Sequence, residues 1–208
     1  MQKRKRLYQY YFKYKKIVLK IGLFFGSFNP VHNGHLIIAN FISQTTDLDK
    51  VWLVVSPQNP LKPKETLLKD RDRLTLINLA IEDCTHLKAS NIEFKLPKPS
   101  YTIDTLVYLH EKYPQHGFSL IMGSDNLVTL HKWKNYEKLL KYNIYVYKRR
   151  GFDENPYPDH KNIQHLDFPY LDISATFIRD NIRKGVSMQF FLPDAVWKYI
   201  DEMSWYKK

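Results

Sequence analysis

Apolar positions along the chain fall into short runs that are separated by polar loops. Residues 17–25, 51–55, 118–122 and 143–147 form such runs, and β-branched and aromatic residues are frequent in them. Short apolar runs that end at a glycine, a proline or a polar cluster are typical of buried strands. A further short strand is predicted at residues 92–94.

The segments between these runs carry apolar residues at helical spacing. A helix is predicted to begin near Gly34, another to be capped by Asp70, and a third to cover residues 102–112. Two closing helices are predicted over residues 175–184 and 193–203. Because strands and helices alternate, the pattern predicts an α/β fold, with a Rossmann-like, doubly wound, mostly parallel sheet and helices on both faces.

Three loops come directly after predicted strands. They cover residues 26–35, 56–62 and 123–133. In open parallel sheets, ligands bind outside the carboxyl ends of the strands, where the strand order reverses. The three loops are therefore predicted to meet in one ligand site.

The formal net charge of +11 at pH 7 comes mostly from the N-terminus. Eight Lys and Arg residues precede the first acidic residue, so +11 less 8 leaves residues 21–208 with only +3. This distribution indicates a basic extension at residues 1–16, followed by a single domain at residues 17–208. A nearly balanced domain disfavours nucleic acid as its partner.

Cysteine content and the apolar runs bear on the compartment. Cys84 is the only cysteine, which excludes an intrachain disulfide and a cysteine-based zinc site. Lys20 interrupts the apolar run of residues 17–28, and the basic, aromatic N-terminus does not have the form of a secretory signal. We therefore expect a cytoplasmic protein with no membrane partner.

The loop at residues 26–35, GSFNPVHNGH, has the properties of an anion site. Gly26 lets backbone N–H groups approach an anion, and the positive end of the next helix points to the same place. His32 and His35 are three residues apart, so both can donate to phosphate oxygens from one side of the helix. In two alternative interpretations, the histidines only cap the turn or lie in solvent, or they bind a metal ion, which the absence of an accompanying zinc pattern disfavours.

This loop resembles the signature Gly-x-Phe-(Asp/Asn)-Pro-x-His-x-Gly-His of the nucleotidylyltransferase superfamily. Residues 173–179, ISATFIR, are similar to the second signature of that superfamily, Ile-Ser-Ser-Thr-x-Ile-Arg. Two further runs resemble the nicotinate mononucleotide adenylyltransferases: PSYTIDTL at residues 99–106, and GSDNL at residues 123–127 with Trp133 after it. The resemblance extends over residues 17–203.

The resemblance implies an adenylyltransferase that joins the AMP part of ATP to nicotinate mononucleotide. The products are nicotinate adenine dinucleotide and pyrophosphate, in NAD biosynthesis. Mg²⁺ is implied as the cofactor that accompanies ATP, with no metal ion bound by the protein alone. Catalysis is assigned to His32, His35 and Arg179. The implied ATP-binding residues are Gly26, Ser27, Phe28, His32, His35, Gly123, Asp125, Ser174, Thr176 and Arg179, and the implied acceptor-binding residues are Asn59, Lys62, Tyr101, Thr102 and Trp133.

Individual roles follow from the same resemblance. Trp133 is expected to stack on the pyridine ring, and the Thr102 backbone to donate to its carboxylate. Lys62 is expected to neutralise the acceptor phosphate. Asp125 is expected to bind ribose hydroxyls or to help hold Mg²⁺, with a helix cap as the alternative.

The sequence departs from the family pattern at three places. Asn29 stands where Asp is commoner, Ala175 replaces the second Ser of the second signature, and residues 57–62 replace a Pro-Pro-His-Lys run. Without its place in the second signature, Arg179 would be interpreted as a surface arginine that pairs with Asp180 or Asp172.

Other functions stay open from the sequence alone. Nicotinamide mononucleotide is an alternative acceptor, because it differs from the acid by one charge. A nucleic-acid-binding protein that uses the basic extension, and a nucleotide-binding module without catalysis, belong to different classes. Association into a homo-oligomer through a sheet edge or the aromatic C-terminus is also open.

Overall fold

The computed structural model describes residues 18–58 and 67–207. Two predictions lie outside the described residues: the basic extension at residues 1–16, and the acceptor-binding residues Asn59 and Lys62. In chain order the elements are β1 (Lys20–Gly26), α1 (Asn33–Thr45), β2 (Lys50–Val55), α2 (Asp70–Ala80), β3 (Leu87–Ser90), a 3₁₀ turn (Ile92–Lys95), α3 (Thr102–Lys112), β4 (Gly117–Gly123), α4 (Ser124–Val128), a 3₁₀ turn (Leu130–Lys132), α5 (Tyr136–Leu139), β5 (Ile144–Tyr147), β6 (Ile163–His165), α6 (Ala175–Arg183), a 3₁₀ turn (Gln189–Phe191) and α7 (Asp194–Glu202).

The strands form a six-stranded sheet in the order β3-β2-β1-β4-β5-β6, and every neighbouring pair is parallel. From β1 the chain builds outward through β2 to β3, and from β4 it builds in the opposite direction through β5 to β6. The order therefore reverses between β1 and β4, and the carboxyl ends of these two strands border the crevice where a ligand is expected. The predicted doubly wound parallel sheet is confirmed.

Alternating side chains of the central strands enter two separate cores. On β2, Val51, Leu53 and Val55 pack with residues of α1, α2, α6 and α7. Trp52 and Val54 face the other way, into a core with α3 and the segment around α4 and α5. Because strand side chains alternate and both sets are buried, helices cover both faces of the sheet, as predicted.

Two local predictions are wrong, and one strand was not predicted. The strand predicted at residues 92–94 is a 3₁₀ turn, Ile92–Lys95, and the strand lies just before it, at Leu87–Ser90. A short edge strand with alternating polar residues gives a weak pattern, whereas the apolar Ile92 and Phe94 mimic one. Asp70 is the first residue of α2 rather than its cap, which is Lys69. The three-residue edge strand β6 was not predicted.

The loops after β1 and β2 are tied together by one buried side chain, Arg73 of α2. Its guanidinium is fully buried. Nη1 donates to the carbonyl oxygens of Ser27 and Ser56, Nε donates to that of Leu68 at 3.1 Å, and Nη2 pairs with the Asp70 carboxylate at 2.7 Å. A planar fork of donors suits several fixed acceptors, so Arg73 sets the spacing between the two loops.

We expect Arg73→Met to lower the free energy of unfolding by about 3–5 kcal/mol, because three carbonyl groups and a carboxylate lose their buried partner. Urea denaturation measures this loss. Arg71 lies two residues away and is exposed, so Arg71→Met is the matched control, with an expected change below about 0.5 kcal/mol. Equal stability of the two variants would contradict the role of Arg73.

Candidate active site

Two pockets adjoin at the carboxyl edge of the sheet. The larger pocket has a volume of about 670 Å³, and the smaller pocket has a volume of about 310 Å³. Their walls have Phe25, Gly26, Ser27, Ser56 and Asn126 in common. The end of β1 thus forms the border between the pockets, at the predicted reversal of strand order.

Most of the predicted site residues line one of these pockets. The smaller pocket contains all the predicted acceptor residues that are described, namely Tyr101, Thr102 and Trp133. Gly123, which was predicted to bind ATP, lines neither of the two pockets and is the last residue of β4. The larger pocket contains the predicted ATP-binding residues Gly26, Ser27, Phe28, His32, His35, Asp125, Ser174, Thr176 and Arg179.

Packing explains two residues of the first signature. A Cβ atom on Gly26 would lie 2.9 Å from the ring of Phe28, so this position accepts only glycine without movement. Phe28 is buried with a φ of 46°, a left-handed conformation that is rare for an aromatic residue. Its ring packs edge-on against Phe24 and His35. The surrounding contacts therefore hold a strained turn at the pocket, as is frequent at ligand sites.

His32 and His35 stack at the start of α1. Their ring centroids are 3.7 Å apart, and a Cβ on Gly34 would lie 3.1 Å from the His32 ring. The His32 backbone N–H donates to Nδ1 of His35 at 3.3 Å. Because Nδ1 accepts this bond, Nε2 is the ring nitrogen of His35 that is available as a donor. His32 is thus the N-cap residue of α1, the His35 side chain accepts its backbone N–H, and both rings line the larger pocket.

Burial keeps His32 neutral. Its side chain is only 3% exposed, and burial together with the nearby Arg149 cation lowers its pKa to about 3. Nδ1 of His32 is buried without a hydrogen-bond partner among the described residues. A neutral imidazole that lines the pocket can donate to an anion, although it brings no charge of its own.

Arg179 reaches across the pocket from α6 to the first signature. Its Nη1 donates to the Asn29 carbonyl oxygen at 2.8 Å, and Nη2 donates to Oγ1 of Thr176 at 3.2 Å. Its Nε is buried and has no partner among the described residues. Ser174 caps α6, because its hydroxyl accepts the Phe177 backbone N–H at 3.2 Å. The two signatures thus meet through Arg179.

The two carboxylates that could have neutralised Arg179 pair with other arginines. Asp180 binds Arg183 at 2.7 Å, and Asp172 binds Arg150 at 3.2 Å. Across residues 18–58 and 67–207, no ion pair includes Arg179. The interpretation of Arg179 as a paired surface arginine is therefore wrong.

Asp125 lies in the first turn of α4, and the helix cap is Gly123. A Cβ on Gly123 would lie 2.3 Å from Oδ1 of Asp125, so the glycine makes room for this carboxylate. Oδ1 is buried, with no hydrogen-bond partner among the described residues. Asp125 is therefore not a simple helix cap.

The smaller pocket joins an aromatic ring to a helix N-terminus. Trp133 follows the 3₁₀ turn Leu130–Lys132, and α3 begins at Thr102, so its first backbone N–H groups lie at the pocket wall. Nζ of Lys134 lies 4.8 Å from the centre of the Tyr101 ring. A planar ligand with a negative group suits these walls.

Five charged residues that were not predicted from the sequence also line these walls, namely Glu93, Lys98, Lys132, Lys134 and Arg149. Arg149 and Lys98 line the larger pocket, and Lys98 also pairs with Asp70 at 3.1 Å. Glu93 lines the smaller pocket, where burial raises its pKa and the Thr105 hydroxyl donates to it at 2.7 Å. Arg149 lies two residues after the predicted strand at residues 143–147, and Lys132 and Lys134 flank the predicted Trp133.

Two classes of feature are absent from the described part of the chain. No group of three or more His, Cys, Asp or Glu side chains there is placed to hold a metal ion. No helix among those residues is long and apolar enough to cross a membrane.

The depressed pKa of His32 makes stability depend on pH. His32 binds a proton near pH 6.5 in the unfolded chain and only near pH 3 in the folded chain. The free energy of unfolding is therefore unaffected by this difference above pH 6.5 and decreases as the pH falls toward 3. From pH 8 to pH 5, we expect wild type to lose about 2 kcal/mol more than His32→Asn in urea denaturation. The exposed His131 provides the control, because His131→Asn should follow wild type. Parallel pH profiles for wild type and His32→Asn would contradict the burial of a neutral ring.

The chain is similar to known proteins over most of its length. The profile of the cytidylyltransferase-like family matches residues 23–181. A protein of Flavobacterium psychrophilum described as "Probable nicotinate-nucleotide adenylyltransferase" is 55% identical over 193 residues, which cover 91% of this chain and 100% of the relative. A protein of Cytophaga hutchinsonii with the same description is 49% identical over 90% of this chain and 98% of its own length.

A solved structure shares the fold. Plasmodium falciparum nicotinic acid mononucleotide adenylyltransferase complexed with NaAD aligns with a TM-score of 0.77 and 19% identity, over 90% of this chain and 97% of that one. At this identity the likeness concerns the fold alone. The matched profile and the two bacterial relatives show that the chain belongs to the nicotinate-nucleotide adenylyltransferases of the cytidylyltransferase-like family.

Proposed function

We propose that the chain transfers AMP from ATP to nicotinate mononucleotide, with ATP in the larger pocket and the mononucleotide in the smaller one. The observation that carries this proposal is the common border of the two pockets at Gly26 and Ser27. A phosphate bound on each side of that border would bring the acceptor oxygen close to the α-phosphorus of ATP. Proximity of this kind supplies much of the rate enhancement in phosphoryl transfer.

The reaction needs no nucleophile from the protein. An oxygen of the acceptor 5′-phosphate forms a bond to the α-phosphorus, and the bond from that phosphorus to the bridging oxygen of the β-phosphate breaks. Pyrophosphate leaves with the bonding electron pair, and nicotinate adenine dinucleotide is formed. Catalysis then consists of alignment and of stabilising the charge that develops on the phosphate oxygens.

The triphosphate is assigned to the residues around the start of α1. The Gly26 and Ser27 backbone, His32 and His35 donate hydrogen bonds, and Arg179 supplies a fork of donors with a permanent charge. Arg149 adds a second guanidinium on the same pocket wall. The lack of any carboxylate partner for Arg179 among the described residues supports its availability for phosphate.

Mg²⁺ is assigned to the substrate rather than to a protein site. The residue that would help to hold it is Asp125, whose buried Oδ1 has no hydrogen-bond partner among the described residues. When bound, the ion neutralises charge on the triphosphate.

The acceptor is assigned to the smaller pocket. Trp133 is proposed to stack on the pyridine ring, and the backbone at Thr102 to bind its carboxylate. The N-terminus of α3 favours a negative charge there, whereas Lys134 at the pocket wall is paired with Asp104 at 2.8 Å. This potential supports the acid over the amide as the acceptor. Asn59 and Lys62 are proposed to bind the acceptor, with Lys62 at its phosphate.

The function is tested by pyrophosphate release from ATP and Mg²⁺ with three separate acceptors. We expect turnover with nicotinate mononucleotide to exceed that with nicotinamide mononucleotide at least about tenfold, because the amide lacks the charge that the pocket favours. No turnover is expected with 4′-phosphopantetheine. Preference for another acceptor would overturn the assignment of the smaller pocket, and inactivity with all three would leave a nucleotide-binding module.

We expect His35→Ala to lower turnover about a hundredfold or more, because a donor to the transition-state charge is lost. His131→Ala, at an exposed histidine outside both pockets, is the matched control and should retain wild-type turnover. Initial rates at saturating ATP and acceptor measure the effect. Nearly normal turnover of His35→Ala would remove that residue from the mechanism.

A further inference from the structure

The chain beyond α7 turns back onto the first signature. Ser204 and Tyr206 have φ angles of 52° and 64°, left-handed conformations that non-glycine residues seldom adopt. Between them, Trp205 packs edge-on against Tyr199 of α7, with 5.4 Å between ring centroids. The turn brings the Tyr206 hydroxyl to Asn29, where it donates to Oδ1 at 2.7 Å. Of these two strained residues, Tyr206 therefore contacts the active-site loop directly.

Asn29 is the point at which this segment meets the catalytic residues. It is 1% exposed. Its Oδ1 also accepts the Leu68 backbone N–H at 3.2 Å, and its backbone oxygen accepts Nη1 of Arg179 at 2.8 Å. Tyr206 and Arg179 therefore bind the same residue, one at its side chain and the other at its main chain. A shift of Asn29 would move one of the two contacts that orient the guanidinium.

The Tyr206 hydroxyl is suited to a lasting contact. Burial raises its pKa, so the phenol keeps its proton and stays a donor. Its ring packs at the edge of the core that includes α6 and α7. Asn29 offers a neutral carboxamide, so the bond fixes the loop without placing a carboxylate beside Arg179.

We propose that Tyr206 is a positioning residue of the active site, which acts through Asn29 to hold Arg179 in the direction from which it binds the triphosphate. The inference rests on the proposed function only in assigning ATP to the larger pocket. It does not depend on the identity of the acceptor.

Calorimetric binding of a non-hydrolysable ATP analogue with Mg²⁺ tests the proposal without an acceptor. Four proteins form a double-mutant cycle: wild type, Tyr206→Phe, Arg179→Lys and the double variant. We expect Tyr206→Phe to weaken binding about fivefold in the wild-type background and less than about twofold when Arg179 is lysine. Turnover with ATP and nicotinate mononucleotide should show the same coupling.

Tyr199→Phe is the matched control, because it removes a C-terminal tyrosine hydroxyl and retains the ring that packs on Trp205. It should bind the analogue like wild type. Thermal unfolding of each variant verifies that the fold is retained, and Tyr206→Phe keeps the aromatic ring in place.

Equal losses from Tyr206→Phe in both backgrounds would show a general structural role and overturn the proposal, as would wild-type affinity of Tyr206→Phe. Failure of wild type itself to bind the analogue would overturn the ATP assignment and this inference with it. Binding with the expected coupling but without adenylyl transfer would contradict the proposed function alone.

Discussion

The arrangement of the site depends on how Arg73 holds two loops that have no regular structure of their own. Where parallel strands end, backbone carbonyl groups lose their ladder partners and must find others. Arg73 satisfies those of Ser27 and Ser56, which follow neighbouring strands. A buried charge is costly, and Asp70 together with three carbonyl acceptors offsets that cost. The position of the pocket border therefore follows from one side chain that lines neither pocket itself but binds two residues that line both.

The larger pocket is lined by a histidine that stays neutral and by side chains that are permanently cationic. Burial and Arg149 hold His32 neutral, so the cationic character comes from Arg149, Arg179 and Lys98. Arg149, whose charge acts on His32, and Arg179, which contacts Asn29, lie near the start of α1, where the helix dipole has the same sign. A pocket with these features is already complementary to a triphosphate, and His32 and His35 add directional donors without further repulsion. Preorganisation of this kind lowers the cost of reorganisation when the substrate charge changes.

The sequence predicted features that are determined locally and missed those that depend on distant packing. The strand ends could be predicted, because turn chemistry and hydrophobic periodicity act within a few residues. The resemblance of the two signatures and the two family runs supplied the predicted pocket residues. Arg73 lies among other charged residues in the segment DRDR, and nothing in that pattern marks it as buried. The same holds for Tyr206, whose partner Asn29 is 177 positions away. At Glu93, an apolar neighbourhood predicted a strand where the chain forms a 3₁₀ turn.

The departure from the signature at Asn29 affects charge more than shape. An aspartate could accept the same two hydrogen bonds from Leu68 and Tyr206, so the turn alone does not select between the two residues. A carboxylate at this position would, however, lie close to Arg179, whose guanidinium contacts the Asn29 main chain. It would compete with phosphate for that charge, because opposite charges within a few ångströms stabilise each other. With a neutral carboxamide, hydrogen bonds fix the loop and the charge of Arg179 remains directed at the anion. The C-terminal segment and the neutral Asn29 therefore act together: Tyr206 holds Asn29, and Asn29 holds a guanidinium that no carboxylate of the described chain neutralises.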